Sequence, residues 1–174
     1  MLSAGRREGP GPSSTGGPYL CGDIDIRIGR DGTWFYHGSP IGRKPLVKLF
    51  ASVLKRDEDG DYWLETPVEK ARIKVDDAPF VAVAMTVAGQ GRDQALTFRS
   101  NLDEEIVAGP TAPIRVTIDP ATEEPSPYVL FRPGLDGLIA RAVFYDLVEL
   151  AVEDPETQVL GVWSGGVFFP FGNG

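Results

Sequence analysis

One layout is written twice along this chain: a short apolar strand, a glycine-containing turn, an arginine and an amphipathic helix. In the first copy Trp34-Phe35-Tyr36 leads through residues 37–42 to Arg43 and a helical pattern over 45–54, and a hairpin ending at Tyr62-Trp63-Leu64 follows. In the second, residues 128–131 lead through a turn over 133–137 to Arg141 and a helical pattern over 142–151, followed by strands at 159–163 and 167–169. Two copies imply two units, each burying one helix stripe against its own strands, with a seam between them. The layout predicts an α+β protein of two related subdomains, each a curved antiparallel sheet with one main helix. At 174 residues and 42% hydrophobic composition the chain holds enough apolar surface for both.

Composition places the boundaries. Residues 1–22 begin with a stretch dense in Gly, Pro and Ser that buries too little apolar area to offset its ordering entropy, and a disordered tail is expected there. The N-terminal α+β unit is placed at 23–78 and the C-terminal one at 79–174. Ile24-Asp25-Ile26-Arg27-Ile28 alternates with period two, and Asp31-Gly32 separates it from 33–36 as a hairpin turn does. Pro45 suits the first turn of a helix, and Leu46, Leu49, Phe50 and Val53 follow at helical spacing. Asp59-Gly60 marks a second hairpin, and 68–75 is extended.

Residues 80–87 form a near-continuous apolar run without helical polar spacing, which predicts the central strand of the second unit. Strands are expected at 95–99, 105–108, 114–118 and 128–132, with an exposed loop over 119–127. The later helix is expected to begin near Leu138 and to bury Val143, Phe144, Leu147, Val148 and Ala151. Asp154-Pro155 ends it, and 159–163 and 167–171 read as a terminal hairpin about Ser164-Gly165-Gly166.

Charge and rare residues exclude several classes of function. One cysteine, Cys21, forms no internal disulfide, and one histidine, His37, leaves no Cys/His zinc site; no metal and no cofactor are expected. The net charge of −8 argues against a nucleic-acid partner, because such affinity rests on clustered Lys and Arg. No apolar run is long enough to cross a bilayer and no secretory layout opens the chain, so a cytoplasmic protein without a membrane partner is expected. No lysine occurs after Lys74, and residues 78–174 carry 5 basic against 13 acidic side chains. Arginines retained in such a region suit fixed bidentate contacts better than solubility.

The runs Gly32-Thr33-Trp34, Pro40-Ile41-Gly42-Arg43, Leu49-Phe50-Ala51, Gly60-Asp61-Tyr62, Leu64-Glu65-Thr66-Pro67-Val68-Glu69-Lys70 and Asp76-Asp77-Ala78-Pro79-Phe80 resemble the bacterial family called domain of unknown function 1285. The resemblance implies a duplicated α+β core whose C-terminal part is superficially like a pleckstrin-homology fold. It further implies a nucleotide-like ligand held between the two parts, in signal transduction, and carries over no catalytic residue.

A pocket for such a ligand needs cations for phosphate and an aromatic slot for a base. Arg43 and Arg141 each stand at the start of a helix, Arg132 follows the strand leading into the second copy, and Trp34, Tyr36 and Trp163 are available for stacking. Thr66 is a candidate for holding phosphate and Asp76 for a ribose hydroxyl or for orienting an arginine. The alternative for the arginines is structural, pairing with Asp76, Asp77 or Asp136. Asp57-Glu58-Asp59-Gly60-Asp61 lacks the spacing of a calcium loop and reads as a solvated hairpin, and His37 as a surface imidazole with no orienting acid. These residues point to a non-enzymatic ligand-sensing module for a phosphorylated or nucleotide-like small molecule. The alternative is a protein-interaction domain that offers an edge strand or the aromatic C-terminal hairpin to a protein partner.

Overall fold

The computed structural model describes residues 20–172, so the expected tail lies outside the described residues except for Leu20–Gly22, which open the first strand. Two compact units result: one runs to Gly29 and takes up again over Thr33–Asp76, and the other comprises Arg30–Gly32 and the chain from Asp77 onward. The fold is mostly β, with two six-stranded sheets, each accompanied by one helix, and a small three-stranded sheet. No helix of the described residues is long and apolar enough to cross a membrane.

Unit 1 holds β1 (Leu20–Ile28), β2 (Trp34–Tyr36), β3 (Ser39–Pro40), α1 (Lys44–Ser52), β4 (Leu54–Arg56), β5 (Tyr62–Glu65) and β6 (Glu69–Val75). Its sheet runs β3-β2-β1-β6-β5-β4, two antiparallel meanders joined where β1 lies parallel to β6. The sheet is therefore mixed, where an antiparallel one was expected. A hairpin cannot join parallel neighbours, and here a long excursion through α1 separates them in sequence. Alternation holds: Ile26, Ile28, Trp34, Leu54, Leu64 and Ile73 are buried. Helix α1 turns Val47 and Ala51 inward and leaves Leu49 at 63% exposed, a shift of the buried stripe from the expected Leu46, Leu49, Phe50 and Val53. Leu54 is not helical but opens β4, opposite Leu64.

The acidic hairpin is held by one side chain. Asp57 accepts the backbone N–H of Asp59 and of Asp61 on Oδ1 and the Trp63 indole N–H at 2.8 Å on Oδ2. Those hydrogen bonds, led by the one from Trp63, lower its pKa. His37 and Gly38 both have positive φ at the β2–β3 turn, and His37 Nδ1 lies 3.3 Å from Asp25 Oδ2. The acid that the sequence did not reveal comes from the neighbouring strand.

Unit 2 holds β7 (Phe80–Ala88), a 3-10 turn (Gly91–Asp93), β8 (Ala95–Ser100), β9 (Glu105–Val107), β10 (Ile114–Ile118), β11 (Pro125–Arg132), β12 (Leu135–Ile139), α2 (Arg141–Glu149), β13 (Val152–Glu153), β14 (Leu160–Ser164) and β15 (Val167–Pro170). Its large sheet runs β9-β8-β7-β12-β11-β10, again two antiparallel meanders joined by a parallel pair, β7 with β12. As expected, β7 is central. The expected loop over 119–127 is shorter, because β11 starts at Pro125. Pro125 and Pro127 sit where β11 pairs with β10 alone, so their missing N–H groups break no ladder on the β12 side.

The expected turn over 133–137 and the helix start near Leu138 are both corrected. The turn is Pro133-Gly134, with Gly134 at φ 75°, and Leu135–Ile139 form strand β12. Gly137 serves packing instead of turning: a Cβ there would lie 2.4 Å from the Phe131 ring. Helix α2 buries Val143 and Leu147, whereas Val148 is exposed.

β13, β14 and β15 form their own sheet, and Phe171 just beyond β15 makes a parallel bridge to Val116 of β10. The buried Ser164 hydroxyl ties β14 to the large sheet, accepting the Leu96 N–H at 2.9 Å and donating to the Ala108 carbonyl at 2.8 Å. Gln94 Nε2 donates to the Trp163 carbonyl beside it.

Gly137→Ala is expected to lower stability by about 1–3 kcal/mol through overpacking against Phe131, read as the urea midpoint at unchanged m-value. Ser164→Ala strands a buried N–H and a buried carbonyl, and a loss of about 1–3 kcal/mol is expected in the same measurement.

Candidate functional site

Both helices begin without a side-chain cap and with no acidic residue in the first turn. An arginine stands there instead. Arg43 is the N-cap residue of α1, and Arg141 is the first residue of α2 after the extended Ala140. Unpaired N–H groups and the positive end of the helix dipole gather at such a start, so a cation costs about 0.3–1 kcal/mol where an anion would gain as much. Both arginines are exposed. Stability therefore gives no reason for their placement, whereas an anionic ligand would.

At α2 that start opens into a cavity of about 490 Å³. Its walls include Arg30, Arg141, Ser126, Leu138, Phe144 and Tyr145, and Glu124 is the carboxylate among them. Two guanidiniums, two hydroxyls and two aromatic rings in such a volume match the composition of a small-molecule site. The strand β12 delivers this geometry: its end is anchored by Ala140 N–H to the Ala82 carbonyl at 3.0 Å, which sets where α2 starts.

Arg30 was missed by sequence reasoning, which saw only a hairpin turn. Its Nη1 lies 3.1 Å from Asp77 Oδ2, a buried oxygen without a directed hydrogen bond, while Asp77 Oδ1 accepts the Tyr128 hydroxyl at 2.7 Å. The Arg115 guanidinium covers the Tyr128 ring at 4.3 Å and reaches Asp136 at 2.9 Å. Burial first, then the bond to Asp77, raises the Tyr128 pKa from 10.0 to about 12. No local sequence signal joins residues 30, 77, 115 and 128, since strand pairing alone assembles them.

Of the other candidates, Arg132 donates to Glu104 Oε2 at 3.1 Å and lies over the Phe80 ring at 5.3 Å, a structural clamp within unit 2. Its partner is Glu104, whereas the expected acids serve other arginines: Asp76 holds Arg27, Asp77 faces Arg30 and Asp136 holds Arg115. Trp34 is a core residue at 1% exposure, stacked on Phe50 at 6.3 Å. Trp163 is half-buried, edge-on to Phe168, with the Arg92 guanidinium 4.7 Å from its ring centre. The Thr66 hydroxyl accepts the Glu69 N–H at 3.1 Å and so caps its own turn.

Tyr36 and Thr66 both line an apolar cavity of about 540 Å³ in unit 1, with Ile24, Leu46 and Phe50. Asp76 lines a different and wider groove of about 1010 Å³ beside Arg72 and Lys74, where the β1–β6 ladder shifts register between Asp23 and Arg27. The C-terminal hairpin keeps its aromatics engaged: Phe169 is buried and Phe171 packs on Phe144 at 6.0 Å.

The raised Tyr128 pKa has a testable sign. Between about pH 10 and pH 12 the unfolded chain gives up this proton while the folded one keeps it, so stability present below pH 10 is lost as the pH rises toward 12. Tyr128→Phe should flatten that part of the stability profile, measured by denaturant titration at stepped pH.

Comparison with protein families matches residues 11–78 to the domain of unknown function (DUF1285), N-terminal domain, and residues 79–171 to the protein of unknown function (DUF1285), C-terminal domain. Among solved structures the chain is similar to a DUF1285 family protein from Silicibacter pomeroyi DSS-3, at 53% identity and TM-score 0.83, over 95% of this chain and 89% of that one. It is also similar to a DUF1285 family protein from Shewanella baltica OS155, at 28% identity and TM-score 0.54, over 71% of this chain and 90% of that one. Comparison with curated proteins finds no match. With both of its halves matched in order, the chain belongs to the DUF1285 family.

Proposed function

We propose that this protein is a non-enzymatic sensing module that binds a phosphorylated, nucleotide-like small molecule in the cavity at the start of α2, in signal transduction. One observation carries the reading: Arg141 occupies the uncapped, acid-free start of α2 and shares a cavity of about 490 Å³ with Arg30. A phosphate there meets two guanidiniums and the free N–H groups of the first helical turn. Phe144 and Tyr145 supply an aromatic wall for the remainder of the ligand. In a chain of net charge −8, a local pair of arginines supplies what the surface as a whole lacks.

We also read the two units as related subdomains, and the C-terminal one as like a pleckstrin-homology fold in outline. The shared rule of two antiparallel meanders meeting in a parallel pair supports the first statement. A large sheet with a single long-range helix packed against it supports the second.

A thermal-shift panel of nucleoside monophosphates and phosphorylated sugars tests this. A ligand at about 100 times its Kd adds about 2.7 kcal/mol, a shift of several degrees, and Arg141→Ala should abolish it. If millimolar ligand leaves the melting temperature of the wild-type chain unmoved, the proposal fails.

A further inference from the structure

Arg30 is 65% exposed, yet one edge of its guanidinium is not free to wander. Asp77 is only 17% exposed, and its buried Oδ2 is balanced, among the described residues, by Arg30 Nη1 at 3.1 Å. The other oxygen, Oδ1, is held by the Tyr128 hydroxyl at 2.7 Å, so the carboxylate has no freedom to turn away. Tyr128 in turn is fixed by the strand register, opposite Arg115 on β10 and Leu138 on β12, with the Arg115 guanidinium on its ring. Leu138 lines the same cavity as Arg30 and Arg141. A flexible arginine is thus drawn to one side by an ion pair, which leaves the rest of its fork for a ligand and lowers the entropic cost of binding.

We infer that Arg30 is the second phosphate-contacting residue of the α2 cavity, and that Asp77 and Tyr128 are positioning residues that act on the ligand only through Arg30. The inference rests on the ligand reading above and adds its recognition chemistry. A terminal phosphate, as in a phosphomonoester, presents three free oxygens and so can meet both Arg30 and Arg141, whereas a bridging diester presents two. Asp77 lowers the net charge at Arg30 and tethers it through the ion pair. A lysine at this position would keep the charge and lose the fork.

The probe is inorganic phosphate, titrated by calorimetry against the full chain, with melting temperature recorded for every variant. Arg30→Ala is expected to weaken phosphate about 10-fold, Arg30→Lys to fall between the two, and Tyr128→Phe to weaken it about 3-fold. In the Arg30→Ala background, Tyr128→Phe should change phosphate affinity no further, even where it lowers the melting temperature. That coupling separates positioning from mere stability. If Tyr128→Phe weakens phosphate equally with and without Arg30, the positioning role is overturned. If Arg141→Ala weakens phosphate but Arg30→Ala does not, Arg30 is no ligand contact and only the cavity reading survives. If wild-type protein binds neither phosphate nor any phosphomonoester, the cavity reading and this inference fall together.

Discussion

A single parallel contact makes each large sheet out of two smaller pieces. β1 against β6 in one unit, and β7 against β12 in the other, each join a pair of antiparallel meanders that separately would expose a row of unpaired backbone groups at the join. In unit 2 the consequences can be followed residue by residue. The register Gly137 with Phe80, Leu138 with Val81 and Ile139 with Ala82 leads into the bond from Ala140 to Ala82, and α2 starts at the next residue. The location of Arg141, and with it the cavity, is set by that pairing.

The same pairing decides what each arginine does. Arg27, Arg115 and Arg132 stand beside carboxylates and aromatic rings that strand neighbours bring to them, and they are absorbed into the scaffold. Arg141 stands at a helix start where a cation brings no stability, and Arg30 is steered toward the same cavity by a buried carboxylate. Charge alone does not distinguish the two groups, since all five are arginines in an acidic chain. The distinction lies in the partner, and the carboxylate partners here are separated from their arginines by 21 to 49 residues.

The elements themselves were largely legible because their signals are local. Period-two alternation over 24–28, the Asp-Gly turns and the apolar run from Phe80 all became the strands they indicate. Misreadings arose where one residue served a distant neighbour. Gly137 looked like a turn glycine because glycine most often serves turns, but here it makes room for the Phe131 ring. Leu46 and Leu49 fitted a helical face, yet the residues that α1 buries are Val47 and Ala51, and Leu49 stays exposed. Trp34 had the composition of a stacking platform and became core, since its strand faces the helix through Phe50.

By itself the sequence determined the α+β character, the start of α1 just after Arg43, and the single cysteine and single histidine, because each follows from composition or from spacing within a few residues. Only the tertiary structure decided that the sheets are mixed, that Arg132 belongs to Glu104, and that Arg30, Asp77 and Tyr128 form one chain leading to the α2 cavity. The physical reason is that hydrogen bonds and ion pairs act over about 3 Å in space regardless of distance along the chain, and strand register alone brings such groups within that reach.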